Sequence, residues 1–136
     1  MDYAESRGAV LAVESHGRFG TDLGALVSIL NEIKSSALGI TLDTSNFAVN
    51  GVEPLDAIAA FGKRIYHTHL KDSKLGSESY ATAVGEGSLD FESILKALRK
   101  TGFEGAYCIE YEGEESGSVG LRKSLGFVEK LFKKLG

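Results

Sequence analysis

Short apolar runs alternate with longer amphipathic stretches along the whole chain. The apolar runs lie at residues 9–15, 38–44, 64–71 and 105–111. Each has the length of a strand, and each is followed by residues whose apolar positions recur every three or four places, as in an amphipathic helix. This pattern predicts four strand–helix units. An α/β fold with a parallel sheet and right-handed crossovers is therefore expected, in a single domain covering residues 1–136.

Capping residues indicate where the helices begin and end. Thr21 is the expected N-cap of the first helix, Pro54 starts the second, and Asp90 caps the third, which ends at Gly102. The apolar residues expected to face the sheet recur at helical spacing. They are Leu23, Leu26, Val27, Leu30 and Ile33; Leu55, Ile58 and Phe61; Phe91, Ile94, Leu95 and Leu98; and Leu121, Leu125, Val128, Leu131, Phe132 and Leu135.

Ionisable residues stand at the carboxyl end of every predicted strand. Alternate residues of a strand face opposite sides of a sheet. One face of each strand is bulky and apolar, whereas the other is smaller or polar and ends in Glu14, Asp43, His69 or Glu110. Ligands and catalytic groups collect at this end of parallel sheets, above all in β/α barrels. Taken singly, an acidic residue at a strand end is more often a helix cap or a solvated group than a ligand.

The third strand carries the most ionisable groups. Its sequence is "IYHTHLKDS", residues 65–73, in which every second residue from position 67 is a histidine or a lysine. Strict alternation assigns one face to Ile65, His67, His69 and Lys71, and the other to Tyr66, Thr68 and Leu70. This row of ionisable groups distinguishes the strand from one that is apolar on both faces.

Three carboxylates turned to one side of a sheet would repel one another, and removing them from water adds to the cost. A divalent cation bound between them removes both problems. Three oxygen ligands and one imidazole form a mostly hard set that suits Mn²⁺ or Mg²⁺, and Zn²⁺ and Co²⁺ remain open. A structural zinc site is not expected, because the set contains no thiolate.

Composition narrows the classes of function. The net charge of −4 and the scattered Lys and Arg residues argue against a nucleic-acid partner. The single cysteine, Cys108, excludes an internal disulfide. No apolar run approaches the roughly 20 residues of a membrane span, and no signal-peptide pattern is present. A soluble cytoplasmic protein without a membrane partner is therefore expected.

Four stretches in order carry a family resemblance: "LAVESHGRFGTD", "LGITLDTSNF", "HTHLKDS" and "VGEGSLDFESILKALRKTGFEGAYCIEYEG". Together they resemble the sugar phosphate isomerase/epimerase family, the xylose isomerase-like TIM barrels. The resemblance implies that Glu14, Asp43, His69 and Glu110 are metal ligands. It also implies that Glu14 and Glu110 are the acid and base of a divalent-metal-dependent isomerase or epimerase. Such an enzyme acts on a sugar or related ketose by proton abstraction through an enediolate, and relatives use the same ligands to dehydrate a cyclic polyol ketone.

Four further residues are expected near the substrate. His16 resembles a histidine that often follows the first ligand in the family, and His67 either lines the cavity or is a hydrogen-bonded interior residue. Lys71 contacts a substrate oxygen or pairs with Asp72. Asn46 stands where many relatives have a histidine, and an amide donates hydrogen bonds but does not shuttle protons.

The resemblance covers strands five to eight of an eight-stranded barrel. "MDYAESRG" resembles the end of the helix before the fifth strand. A four-stranded piece leaves two open edges, so we expect a homodimer that completes the barrel. The alternative is a non-catalytic half-barrel that assembles and binds metal without turnover. The long connection 72–89 is expected to be either a lid over the site or a solvated structural loop.

Overall fold

The computed structural model describes residues 1–76, 78 and 80–136. The strands are β1 Leu11–Glu14, β2 Leu38–Asp43, β3 Ile65–Leu70, β4 Asp72–Lys74, β5 Tyr80–Thr82 and β6 Tyr107–Ile109. The α-helices are α1 Asp2–Ser6, α2 Gly17–Gly20, α3 Leu23–Ile33, α4 Thr44–Val49, α5 Pro54–Phe61, α6 Phe91–Lys100 and α7 Gly117–Leu135, and a 3₁₀ turn covers Gly62–Arg64.

Four strands form one parallel sheet in the order β1-β2-β3-β6. Between them run the amphipathic helices α3, α5 and α6, and α7 follows the last strand. The order of strands follows the order of the chain, as in a stretch of β/α barrel wall. The predicted α/β class and the parallel (βα)₄ half-barrel are therefore confirmed. Among the described residues, no helix is both long and apolar enough to cross a membrane.

The core lies between the sheet and the helices. Its largest fully buried side chains include Ile40 and Leu42 of β2, Leu70 of β3, and Leu95 and Leu98 of α6. The predicted face of α6 is buried at all four positions, and Asp90 caps this helix through a hydrogen bond from the backbone N–H of Ser93. Burial of a single large aliphatic side chain stabilises a fold by about 1.5–3 kcal/mol, so this layer fixes how the sheet and helices pack.

Two helix predictions need correction. The N-cap of α3 is Asp22, whose carboxylate accepts from the backbone N–H of Ala25, whereas the Thr21 hydroxyl donates to the backbone of the short helix α2. Four apolar residues expected in the core are instead 42–50% exposed, namely Ile33, Leu55, Leu121 and Leu125. Leu55 lies on the outer side of α5, whereas Ile58 and Phe61 face inward.

A register irregularity changes the faces of β3. Ile40 of β2 pairs with Ile65, but the next residue, Thr41, pairs with His67, so Tyr66 is an extra residue in β3. Ile65 therefore lies in the buried core, on the opposite side from His67 and His69. The assignment of Ile65 to the histidine face was wrong, since strict alternation does not hold across a bulge.

Candidate metal centre

The four predicted ligands meet at the carboxyl end of the sheet. Glu14 ends β1, Asp43 ends β2, His69 is the last but one residue of β3, and Glu110 follows β6 directly. Asp43 pairs with His69 across the β2–β3 ladder, and the backbone N–H of Glu110 donates to the carbonyl of Leu70. Four separate strands thus bring these side chains to one place.

Their ligand atoms converge tightly. His69 Nδ1 lies 3.3 Å from Glu14 Oε1, 3.8 Å from Asp43 Oδ2 and 3.6 Å from Glu110 Oε2. One ligand atom from each of the four residues falls within 4.8 Å of all the others. Three carboxylates and an imidazole at these separations form a set that a single divalent cation can bridge.

Three of these ligand atoms are buried and unpartnered. In the part of the chain that the structure describes, the buried side-chain polar atoms without a hydrogen-bond partner are Asp43 Oδ2, His69 Nδ1 and Glu110 Oε2. Buried polar atoms are normally hydrogen-bonded, and leaving one unpaired costs about 1–3 kcal/mol. All three point into the same cluster. A cation bound there would satisfy all three at once.

The protonation of the two inner carboxyls is coupled. Burial raises the pKa of Asp43 from its usual 3.8 to about 7; the backbone N–H of Asn46 and the Lys71 ammonium oppose this shift, and Glu110 adds to it. Burial would also raise the pKa of Glu110, but its hydrogen bond with Asp43 and the charge of Lys71 outweigh burial and lower it. Of the two carboxyls, Asp43 is therefore the one that is more readily protonated when no cation is bound.

Lys71 lies behind the cluster and is buried. Its Nζ is 2.5 Å from Glu112 Oε2, 3.3 Å from Glu110 Oε2 and 3.9 Å from Asp43 Oδ2. Burial would lower the pKa of Lys71, but the hydrogen bond to Glu112 and the neighbouring carboxylates outweigh burial and raise it. The pairing with Asp72 considered from the sequence is not formed. Glu112, which we had not singled out, supplies the shortest ion pair.

Two hydroxyls fix the strand ends that carry the ligands. Ser15 Oγ accepts from the backbone N–H of Asp43, which ties β1 to β2. Thr44 Oγ1 accepts from the backbone N–H of Lys71 and donates to its carbonyl, which ties β2 to β3. Both residues were missed, although each directly follows a predicted ligand acid in the sequence and is fully buried.

The remaining predicted residues surround the centre in different ways. The ring of His67 stacks edge-on against His69 at 5.4 Å between centroids, and it is half-buried. His16 is exposed, and its Nδ1 lies 3.4 Å from the side-chain nitrogen of Asn46. That nitrogen also donates to the backbone carbonyl of Ser15. The amide of Asn46 therefore has protein partners already.

The connection 72–89 is anchored at its base. It contains an antiparallel hairpin of β4 and β5. The buried carboxylate of Asp72 accepts backbone N–H groups from four residues, namely Ser73, Gly85, Gly87 and Leu89. Ser77 and Ser79, within the segment expected to be a lid or a solvated loop, lie outside the described residues. The described part is held by hydrogen bonds on both sides of them.

Comparison with known proteins places the chain in a family. The sequence model of the xylose isomerase-like TIM barrel matches residues 1–131. An uncharacterized protein of Methanocaldococcus jannaschii is 31% identical over 116 residues, 81% of this chain and 39% of that protein. An inosose dehydratase of Clostridium botulinum is 30% identical over 70% of this chain and 36% of its own length. A D-psicose 3-epimerase of Enterocloster bolteae is 32% identical over 69% of this chain and 29% of its own length. The chain thus spans less than half of these relatives.

Solved structures support the same fold. A xylose isomerase domain protein from Planctomyces limnophilus superposes on 98% of this chain and 50% of its own with a TM-score of 0.84, at 22% identity. A xylose isomerase-like TIM barrel protein from Mycobacterium smegmatis, in complex with magnesium, superposes with a TM-score of 0.81 at 18% identity. The superposition covers 99% of this chain and 48% of that protein. The IOLI protein with a bound zinc atom superposes with a TM-score of 0.76 at 22% identity, over 98% of this chain and 52% of that protein.

Proposed function

Because the chain belongs to the xylose isomerase-like TIM barrel family, we propose that it is a divalent-metal-dependent enzyme that removes a carbon-bound proton next to the carbonyl of a sugar or related ketose. Returning the proton to the opposite face epimerises that carbon, and returning it to the neighbouring carbon isomerises the sugar. The relatives named as a D-psicose 3-epimerase and an inosose dehydratase support this class of substrate.

The convergence of three buried, unpartnered ligand atoms carries the proposal. Asp43, His69 and Glu110 each direct such an atom into one cluster, and Glu14 supplies a fourth ligand atom. The donor set is mostly carboxylate oxygen, which favours Mn²⁺ or Mg²⁺, with Zn²⁺ or Co²⁺ as alternatives. When bound, the cation would polarise a substrate carbonyl and offset the negative charge that develops as the proton leaves.

The residues of the chain divide the remaining work. Glu14 ends the first strand of the sheet and Glu110 directly follows the last, so they would approach a bound substrate from two sides as acid and base. Lys71 keeps the Glu110 carboxylate charged and turned inward. His16 and His67 border the centre and would contact substrate hydroxyls. Asn46, whose amide already donates to Ser15, would position His16 as much as the substrate.

We also propose that residues 1–136 act as one structural unit. The same hydrophobic core includes Leu26 and Leu30 of α3 and Val128 and Leu131 of α7, with Met1 and Leu135 packed against it. A single core that joins α3 to the last helix, α7, supports one domain.

Calorimetric titration of EDTA-treated protein with Mn²⁺ tests the metal site. Wild type should bind one ion per chain, and Glu110→Gln and Asp43→Asn should weaken binding by at least about 10-fold, the range found for lost ligand-shell contacts. The control is Glu92→Gln, an exposed glutamate paired with Lys96 and Lys134 on the helix layer, which should bind as wild type does.

A panel of ketoses and cyclic polyol ketones then tests turnover. Proton exchange at the carbon next to the carbonyl in D₂O, followed by NMR, should require Mn²⁺ and disappear in Glu110→Gln. Metal binding without exchange on any of these compounds would favour the non-catalytic half-barrel. Absence of metal binding by wild type would contradict the enzyme proposal.

A further inference from the structure

The first strand of the sheet exposes apolar side chains at its free edge. Leu11 is 51% exposed and Val13 is 38% exposed. They pair in register with Leu38 and Ile40, both of which are buried in the core. Leu11 and Val13 therefore lie on the helix-facing side of the sheet, at the position that another helix would cover.

The last helix exposes apolar side chains on one flank. Leu121 is 44% exposed and Leu125 is 50% exposed. Phe127 of α7 stacks against Phe91 of α6, so that flank of α7 faces α6. At 100° per residue, Leu121 and Leu125 project from the opposite flank, on the far side of the buried positions. They share this flank with Phe132, whose ring packs edge-on against Tyr107 of β6, so the flank faces the β6 edge of the sheet.

The rest of the chain shows what normally covers such a flank. In consecutive parallel strand–helix units, each helix lies over its own strand and the next one. Helix α3 follows β1 and packs on β2 in this way. Helix α7 follows β6 and packs on β6, but within the described chain no strand lies beyond β6 in the sheet. The exposed flank of α7 therefore lacks a strand to pack on, and the exposed edge of β1 lacks a helix to cover it. Each surface offers what the other lacks.

We propose that two copies of this chain associate through these two surfaces, with β6 of one copy beside β1 of its partner and α7 covering the partner's Leu11 and Val13. A twofold axis generates the same junction twice and closes an eight-stranded barrel, which leaves no free edge. The superposition on one half of longer barrel chains supports the curvature that closure needs. Glu14, whose side chain is 46% exposed at the β1 edge, gains a neighbouring wall from the partner. This proposal is independent of metal binding and turnover.

The oligomeric state of matched variants tests the proposal. Light scattering after gel filtration should give wild type a mass of about 29 kDa, twice the 14.5 kDa of one chain. Leu11→Lys and Leu125→Lys, one on each surface, should raise the dissociation constant of the dimer at least about 100-fold, because each places a charge in both junctions. Leu55→Lys is the control: this leucine is similarly exposed, but α5 lies between α3 and α6, away from both edges. Circular dichroism verifies that the variants remain folded.

Mixing the two variants distinguishes this arrangement from any dimer that pairs like with like. A mixed dimer of Leu11→Lys and Leu125→Lys contains one junction with both leucines intact, whereas each variant alone contains none. Mixing should therefore restore part of the dimer. A wild type that is monomeric at 100 μM would overturn the proposal, and so would a dimer that Leu11→Lys and Leu125→Lys leave unchanged or that mixing does not restore.

Discussion

Replacing Asp43 by Asn should stabilise the metal-free protein while weakening its metal site. Asp43 Oδ1 accepts the backbone N–H of Asn46 and so caps α4, and Asn caps a helix about as well as Asp. Asp43 Oδ2 is buried without a donor. An amide N–H in its place would be offered to Glu110, whose carboxylate lies in the same cluster. The substitution removes a buried charge and retains the cap.

The size of the effect follows from the pKa of Asp43. The pKa of Asp43 is about 7 in the folded chain, compared with a usual 3.8. Ionising this carboxyl therefore lowers the free energy of unfolding by about 4 kcal/mol. Because the pKa of Asp43 is higher in the folded state than in the unfolded state, metal-free wild type keeps its full stability below pH 3.8. It loses about 4 kcal/mol as the pH rises towards about 7. The free energy of unfolding of Asp43→Asn should therefore exceed that of EDTA-treated wild type by about 4 kcal/mol at pH 8 and by less than about 1 kcal/mol at pH 4.

Urea unfolding at the two pH values measures this difference. Asp90→Asn is the control, since the Ser93 hydroxyl and its backbone N–H lower the pKa of the exposed Asp90, and no gain at pH 8 is expected there. Saturating Mn²⁺ should narrow this difference, because an ion at 100 times its dissociation constant adds about 2.7 kcal/mol to wild type and less to the variant, which binds it more weakly. If metal-free Asp43→Asn unfolds at lower urea than wild type at pH 8, the reasoning is wrong.

Two further substitutions extend the same argument. Asp72→Asn should lose at least about 3 kcal/mol of unfolding free energy, because both oxygens of Asp72 accept backbone N–H groups and an amide leaves two of them facing another donor. Asp90→Asn again serves as its control, and equal urea midpoints would contradict the anchoring role. Lys71→Met should lower the free energy of unfolding of the metal-free protein by about 2 kcal/mol. This is less than the loss from breaking a fully buried ion pair, because Glu112 is half-exposed. Lys96→Met, in an exposed pair, should cost under about 1 kcal/mol by the same urea titration.

Two buried aspartates thus lead to opposite expectations. Asp43 has a donor at one oxygen and a cluster of ligand atoms at the other, whereas Asp72 has donors at both. The first arrangement costs stability until a cation arrives, and the second fixes the connection between β3 and α6. Functional centres commonly lower the stability of a protein, and the surrounding structure offsets that loss.

Local patterns were sufficient for the four strands of the main sheet and for its longer helices. Apolar periodicity and the capping residues Pro54 and Asp90 placed the helices, because these depend on neighbours within one or two turns. The error at Thr21 came from two adjacent capping residues, of which only Asp22 has its side chain aimed at the helix N-terminus. The short helices α2 and α4 and the β4–β5 hairpin carry too few residues to produce a periodic signal.

The sequence by itself determined the order of strands and helices and the four ligand types at the strand ends, because both follow from residue spacing along the chain. Only the tertiary structure decided which atoms converge. The extra residue Tyr66 turned Ile65 into the core, and the distance from Lys71 to Glu112 depends on two strands packing side by side. Likewise, Leu121 and Leu125 have the periodicity of core residues, but whether they are covered depends on whether a strand lies beyond β6. Contacts between distant segments are set by packing, which no local pattern records.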